Sequence, residues 1–523
     1  MRRLAQFVRV FSGNALLVCA SAIAVTTAAP AFAQTETGLG LRATIDAAAD
    51  ETWDPDAGQS AWSASGRPPV RDGDLDYPRE AEAVQDGVLT PALAEETAGV
   101  EGPALVDQRD PQSIAAFEDP PAGHDPLLFQ IEDIAPSDPR LNRLPRRLFE
   151  AEPYDPVGIS IGSFVLFPEV EIAGNSFSNV FASPDARSDR ALDIAPAGRL
   201  VSNWSVHALE LRGAGDFSFY NEYQSENDKG YLLEARGRLD VTRRTNLQAV
   251  ASRQRAKESR SAIDASSIGD PAFVKQDFAG STLTHRFNRL SLQLTGTLTD
   301  TRYETAGSTI PDDRDSSERA LGVRANWEFK PTLTAFAVIE GNSRAFDRVA
   351  TSDNLSRAST GRRYRGGVSF GDTGQTLRGE VSVGYGIQNF DAVGLKDVEG
   401  AIFDANLAWR LNALTSLLLT AGTDFAETTT AGTGGVLEHR VALEARYAFR
   451  TDLVGTAGIG GMRRSYAGIN IDESELALRL GLEYYLAREA VLFSRYEHIA
   501  FQSDFADGNY NSDEFRFGLR LRR

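Results

Sequence analysis

From Val157 to the carboxyl terminus, apolar and polar residues exchange places at every second position, in runs of ten to thirteen. Tyr231, Leu233, Ala235, Gly237, Leu239 and Val241 interleave with Glu234, Arg236, Arg238 and Asp240. Leu321, Val323, Ala325, Trp327 and Phe329 interleave with Arg324, Asn326 and Glu328. Leu476, Leu478, Leu480, Leu482 and Tyr484 oppose Arg479 and Glu483, and Phe515, Phe517, Leu519 and Leu521 oppose Glu514, Arg516, Arg520 and Arg522. A period of two belongs to a strand whose two faces meet different surroundings. The pattern predicts 18 strands, with 16 to 18 as the range, starting near residues 164, 190, 206, 231, 246, 278, 290, 319, 333, 363, 377, 402, 416, 438, 453, 475, 491 and 512.

Their connections alternate in length. Short turns fall at Arg243-Arg244-Thr245, Asn288-Arg289 and Arg450-Thr451-Asp452, and long polar segments at 258–277, 304–318, 343–362, 389–400, 428–437 and 503–511. Strands of this length suit a tilted crossing of a hydrocarbon layer, where every backbone group must be paired within a closed cylinder. Short turns on one rim and long loops on the other are the layout of an outer-membrane barrel. The expected fold is therefore all-β: an antiparallel transmembrane barrel over residues 157–523. Aromatic residues near strand ends, Phe217, Phe219, Tyr220, Tyr231, Trp327 and Phe329, are candidates for an interfacial girdle.

The first 156 residues read differently. Arg2 and Arg3 precede an apolar run from Ala15 to Val25 and the small-x-small triplet Ala31-Phe32-Ala33, so residues 1–33 are expected to be an export signal. The lone cysteine, Cys19, lies within that run. The exported chain would have no disulfide, no thiol chemistry and no cysteine-ligated metal. Residues 34–156 form an expected leader, acidic and proline-rich: positions 34–150 carry 24 acidic and 9 basic residues and 13 of the 22 prolines. Such a segment buries too little apolar surface to offset its ordering entropy and is expected to be disordered, apart from short apolar patches at 127–131 and 141–149.

The net charge of −19 leaves no basic face for nucleic acid. Most of the acidity sits in the leader, and residues 151–523 carry only −7. With the apolar face against lipid, the other face lines the lumen. The candidate lumen-lining residues are Arg212, Glu234, Arg236, Arg238, Asp240, Arg324, Glu328, Arg378, Glu380, Arg440, Glu444, Arg446, Arg479, Glu483, Arg516 and Arg520. Two readings stand for them: cross-strand ion pairs that brace and hydrate the wall, or Arg rows that contact a passing anion such as an acidic glycan.

Several motifs resemble chemistry without its context. Gly158-Ile159-Ser160-Ile161-Gly162 has the spelling of a nucleophile elbow, but that motif needs a strand feeding a helix. The five histidines, at 124, 207, 285, 439 and 498, have no metal-ligand spacing, and His207 and His439 show no partner in the pattern. Asp312, Asp313 and Asp315 offer oxygens of the kind Ca²⁺ or Mg²⁺ takes, a solvated acidic loop being the simpler expectation. No enzyme, cofactor or metal is expected.

The stretch Phe164-Val-Leu-Phe-Pro-Glu-Val-Glu-Ile172, leading into Asn175-Ser-Phe-Ser-Asn-Val-Phe181, resembles the opening of the proteobacterial putative β-barrel porin family, and His285 to Leu294 resembles its hairpins. The resemblance implies an outer-membrane barrel, some relatives being associated with exopolysaccharide synthesis and export, and it carries no catalytic residues. The chain ends Leu519-Arg520-Leu521-Arg522-Arg523, where such barrels resemble one another in ending on an aromatic residue.

The first expectation is a passive channel for hydrophilic solutes. The alternatives are a component of polysaccharide export or surface attachment, and a structural barrel that conducts nothing. Expected partners are outer-membrane lipid and lipopolysaccharide, the barrel-assembly machinery and, through the leader, periplasmic export components, with both termini in the periplasm.

Overall fold

The computed structural model describes residues 154–204, 207–265, 269–304, 312–330, 332–371, 376–505 and 508–523. The expected export signal and nearly all of the leader, with its apolar patches, lie outside the described residues.

Among the described residues nineteen strands form one sheet. They are β1 Ile159–Ile161, β2 Phe164–Phe177, β3 Asp189–Ser202, β4 Ala208–Tyr220, β5 Asp228–Thr242 and β6 Thr245–Lys257. Next come β7 Phe273–Arg286, β8 Leu290–Glu304, β9 Ser316–Lys330, β10 Leu333–Phe346, β11 Ser359–Phe370, β12 Leu377–Phe390 and β13 Val398–Arg410. The series ends with β14 Thr415–Glu427, β15 Gly435–Arg450, β16 Leu453–Tyr466, β17 Asp472–Ala487, β18 Ala490–Ser503 and β19 Tyr510–Arg522. Each strand from β2 onward pairs antiparallel with the next, and β19 returns to β2 from Glu514↔Phe177 to Arg522↔Glu169. The result is a closed cylinder of 18 strands with no free edge, the condition for a sheet in lipid. Among the described residues no helix is long and apolar enough to cross a membrane.

β1 is the strand the sequence pattern missed. It folds back on β2 through Gly162, whose φ of +61° makes the tight reversal possible. The nucleophile-like spelling lies in this hairpin, and Ser160 pairs with Val165 instead of entering a helix.

Polarity is inverted relative to a soluble domain. Many Leu, Val, Ile and aromatic residues are exposed along the strands, including Leu233, Val383, Leu480, Trp327 and Phe329, whereas Glu171, Asp193, Glu340 and Glu438 are fully buried. The outside of the wall is apolar and the inside polar, as lipid outside and a wet or ion-paired interior require. Tyr220 departs from the expected girdle: it is half-buried and stacks on buried Phe177 at 5.3 Å, because strand alternation turns it inward from exposed Phe219.

The long connections share one rim and the short turns the other, but the strands run further than the pattern indicates. β7 begins at Phe273 and β9 at Ser316, inside segments that read as loops. The cause is a lattice of outward-facing ion pairs above the apolar band: Arg253–Asp277 at 2.5 Å, Lys275–Glu304 at 2.5 Å and Arg302–Asp300 at 3.0 Å. Charged on the outer face and largely polar on the inner one, these strand ends lose the alternation that marks strands.

Candidate functional site: a charged and constricted lumen

Of the sixteen candidate positions, Arg212, Glu234, Arg236, Arg324, Glu444, Arg516 and Arg520 are buried. Arg238, Asp240, Glu328, Arg378, Glu380, Arg440, Arg446, Arg479 and Glu483 are half-buried, and none is exposed. Most join ion pairs. On β4 and β5, Glu234 meets Arg236 at 2.8 Å and Arg212 at 3.4 Å, while Arg238 meets Asp240 at 2.9 Å. Arg324 of β9 reaches Glu380 of β12 at 2.9 Å, and Glu328 accepts from Arg286 at 2.9 Å. Arg440 pairs with Glu438 and lies 3.5 Å from Asp424, Arg479 meets Glu497 at 2.5 Å, and Arg446 lies 3.4 Å from the Tyr485 hydroxyl.

The densest network spans the line where the cylinder closes. Arg516 of β19 contacts Glu171 of β2 at 2.8 Å and Asp193 of β3 at 2.9 Å. Arg520 meets Glu483 of β17 at 2.8 Å and Glu171 at 3.3 Å, and Arg495 of β18 lies 3.6 Å from Glu171. Sequence reading missed Glu171 and Asp193, because β2 and β3 carry apolar residues on both faces. The signal available was two carboxylates two residues apart, Glu169 and Glu171, inside an otherwise apolar run.

A third of the way round the ring the wall is built differently. The β13–β14 ladder runs only from Arg410↔Ser416 to Ala405↔Ala421, although β14 stays paired to β15 as far as Glu427↔Gly435 and β13 to β12 as far as Gln388↔Val398. Beyond Ala421 the β14–β15 hairpin leans into the cylinder. Phe425 is buried against Val398 and Ile402, on the inner face of β13, with Leu437 and Phe390 packed beside them. Gly400 and Gly386 make room for this: a Cβ on Gly400 would lie 2.8 Å from Leu437, and one on Gly386 would collide with the Phe425 ring. The Arg344 guanidinium of β10 donates to the Phe425 carbonyl at 2.8 Å. The split is bridged by the Phe403 N–H donating to Thr423 Oγ1 at 3.2 Å, while His439 stacks on Phe403 and meets Thr423.

The inserted hairpin meets the β6–β7 connection coming from the opposite wall, β6 and β15 being nine strands apart in a ring of 18. Glu258 anchors the base of this loop to Arg314 at 2.6 Å, and Arg260 pairs with Glu226 at 2.5 Å. Arg464 of β16 donates to the Ser261 carbonyl at 2.9 Å, and Ile263 is buried with Val436 and Tyr466. Asp264, at φ +60°, accepts from the hydroxyls of Thr428 at 2.8 Å, Thr430 at 2.9 Å and Thr429 at 3.1 Å. From the other side, buried Arg357 donates to the carbonyls of Thr428 at 3.0 Å and Thr430 at 2.9 Å. Burial lifts the Glu258 carboxyl to about 7, against the pull of Arg314. Loop and hairpin together narrow the loop-side half of the lumen, and neither was visible in the alternation, because a loop carries no period.

The remaining candidates scatter. His207 is not partnerless, as the pattern suggested: its Nδ1 accepts the Asp240 N–H at 3.0 Å. His439 likewise has Thr423 and Phe403. Asp312 holds Arg314 at 3.0 Å, Asp313 caps Thr351, and Asp315 accepts the Tyr303 N–H at 2.8 Å, so the three carboxylates have separate partners. Among the described residues no group of three or more acidic, His or Cys side chains is placed to hold a metal ion.

A family model described as Putative beta-barrel porin 2 matches residues 152–523. Among solved structures, the chain is similar to OccK3 (OpdO) of Pseudomonas aeruginosa, with 16% identity, 68% of this chain and 95% of that chain covered, and a TM-score of 0.37. It is also similar to a BenF-like porin from Pseudomonas fluorescens Pf-5, with 10% identity, 68% and 99% coverage, and a TM-score of 0.39. No curated protein matches.

Proposed function

The chain belongs to the Putative beta-barrel porin 2 family and is a porin-like outer-membrane β-barrel, and from that premise we propose that it is a passive channel for small hydrophilic solutes, narrowed on its loop side. The observation that carries this reading is the meeting of Asp264 with Thr428–Thr430 across the lumen, inside a wall of near-balanced ion pairs. Paired charges hydrate a passage without favouring one sign strongly, and an inward-folded loop sets its width. The reading assigns no residue to catalysis.

Both the start of β2 and the end of β19 lie on the rim of short turns. We place that rim, the leader and both termini in the periplasm, with residues 1–33 removed on export. The outward lattice around Arg253, Lys275 and Glu304 would then stand among lipopolysaccharide head groups, and Phe515 and Phe517 would present the closing strand to the assembly machinery. Purified protein in a planar bilayer tests the channel: stepwise conductance with weak ion selectivity is expected, and a silent bilayer would remove the reading. Protease shaving of intact cells tests the orientation, cleavage being expected in the 258–272 loop and not in the leader.

A further inference from the structure

The inner wall is charged almost everywhere except along one arc. Between Asn246 and Ala256 on β6, Val274 and Thr284 on β7, and Ser291 and Tyr303 on β8, no inward position carries a charge. The opposite arc, β15 to β17, turns Glu438, Arg440, Glu444, Arg464, Glu473 and Arg479 inward. On the neutral arc the inward side chains are amides, hydroxyls and a few apolar residues.

Toward the turn side they form two cross-strand rows. Asn246, Thr284 and Gln293 face one another in register, and Gln248, Thr282 and Thr295 form the next row. Thr282 and Thr295 bond each other at 2.9 Å. The others are short of partners: Gln248 Nε2, Thr284 Oγ1, Gln293 Oε1 and Asn246 Oδ1 are buried and make no hydrogen bond. Gln248, Thr284 and Gln293 are at most 4% exposed. Unpaired buried donors and acceptors are costly, and clusters of them are rare unless something else satisfies them. Beside the rows, the Phe278 ring and Val250 both lie over Gly280, giving the polar array an apolar neighbour.

We propose that this arc is a binding strip for uncharged, polyhydroxylated solutes of the saccharide class. Amides and hydroxyls both donate and accept, as sugar hydroxyls do, so a sugar can pair with either kind of orphaned atom. An anion would find no cation on the strip, and an apolar solute would leave its polar atoms unpaired. Adjacent strands lie about 4.8 Å apart, close to the length of one pyranose, so successive sugar units can meet successive strands. The inference rests on the channel reading for the solute's route, but binding to the strip is measurable apart from conduction.

The test is calorimetric titration of the full chain in a sugar-free detergent with neutral α- and β-linked glucose hexamers, an acidic hexamer serving as the control. Conductance is recorded separately. Neutral hexamers are expected to bind, and Gln248→Leu/Thr284→Val/Gln293→Leu is expected to weaken binding roughly tenfold or more, the loss of several neutral hydrogen bonds. Thr284→Val alone, which removes one hydroxyl at constant shape, should show a smaller loss in the same direction if the triple variant does not fold. No binding of either neutral hexamer, preferred binding of the acidic one, or binding that these variants leave intact would each overturn the strip. A silent bilayer with binding intact would overturn the channel and leave the strip standing.

Discussion

Two joints in one cylinder are made by opposite means. At β19–β2 the backbone ladder is continuous and, inside it, Arg516, Arg520 and Arg495 converge on Glu171. At β13–β14 the ladder stops at Ala405↔Ala421, and the remaining closure is apolar, with Phe425 on Val398 and Ile402. The closing joint must hold the whole ring, and its side chains are locked into a network with few alternatives. The split joint only has to exclude water, and close packing does that without fixing the hairpin to the wall. The sequence of β14 and β15 follows the change: Leu417, Leu419, Ala421, Val441 and Leu443 keep the apolar-out period where β14 is laddered to β13, whereas beyond the split Thr423, Glu427 and His439 interrupt it. The outward apolar period ends where the hairpin leaves the wall.

Four changes should break or sharpen the contrast. Glu171→Ala leaves three guanidinium groups around an empty position in a buried network and should cost about 3–5 kcal/mol, read as a lower urea midpoint for the folded band in gels; an unchanged midpoint would mean that the network is not what holds the joint. Phe425→Ala removes a buried ring and should cost about 3 kcal/mol locally. Here the expected signature is larger, noisier conductance with little change in the urea midpoint, and a midpoint drop equal to that of Glu171→Ala would erase the difference between the joints. Asp264→Ala takes away the acceptor for three threonine hydroxyls and should cost the loop roughly 2 kcal/mol of its seat, seen as faster proteolysis within 258–272 and higher conductance.

The smallest effect is that of pH. Glu258 holds its proton more tightly when the loop is seated, at about 7, than when released, where 4.5 is its ordinary value. The seated state therefore binds more protons, and its advantage is full below 4.5 and fades as pH rises through 7. Protection of the loop from protease should fall across that window in the parent protein and stay flat in Glu258→Gln.

The barrel itself was legible because lipid leaves a strand few choices. Eighteen starts read from the alternation fall within a few residues of those observed, and β2, β8, β10, β12 and β16 begin on the same residue. The largest offsets are at β7, β13 and β11, where charged, small or glycine-rich strand ends dilute the period. Parity assigns each candidate position to one face of its strand, and none of the sixteen is exposed in the structure. Their partners were not legible: Arg324 finds Glu380 three strands away, a pairing fixed by curvature and side-chain length.

The chain's own order of residues determined the closed, greasy-outside cylinder, the strand number and the face each side chain takes, because a two-residue period acts locally and the membrane enforces it on every strand alike. Tertiary structure alone decided the constriction, the β13–β14 split and the neutral arc. Each depends on which strands come to face one another across the lumen, and that is set by closure of the ring, over separations at which local periodicity carries no information.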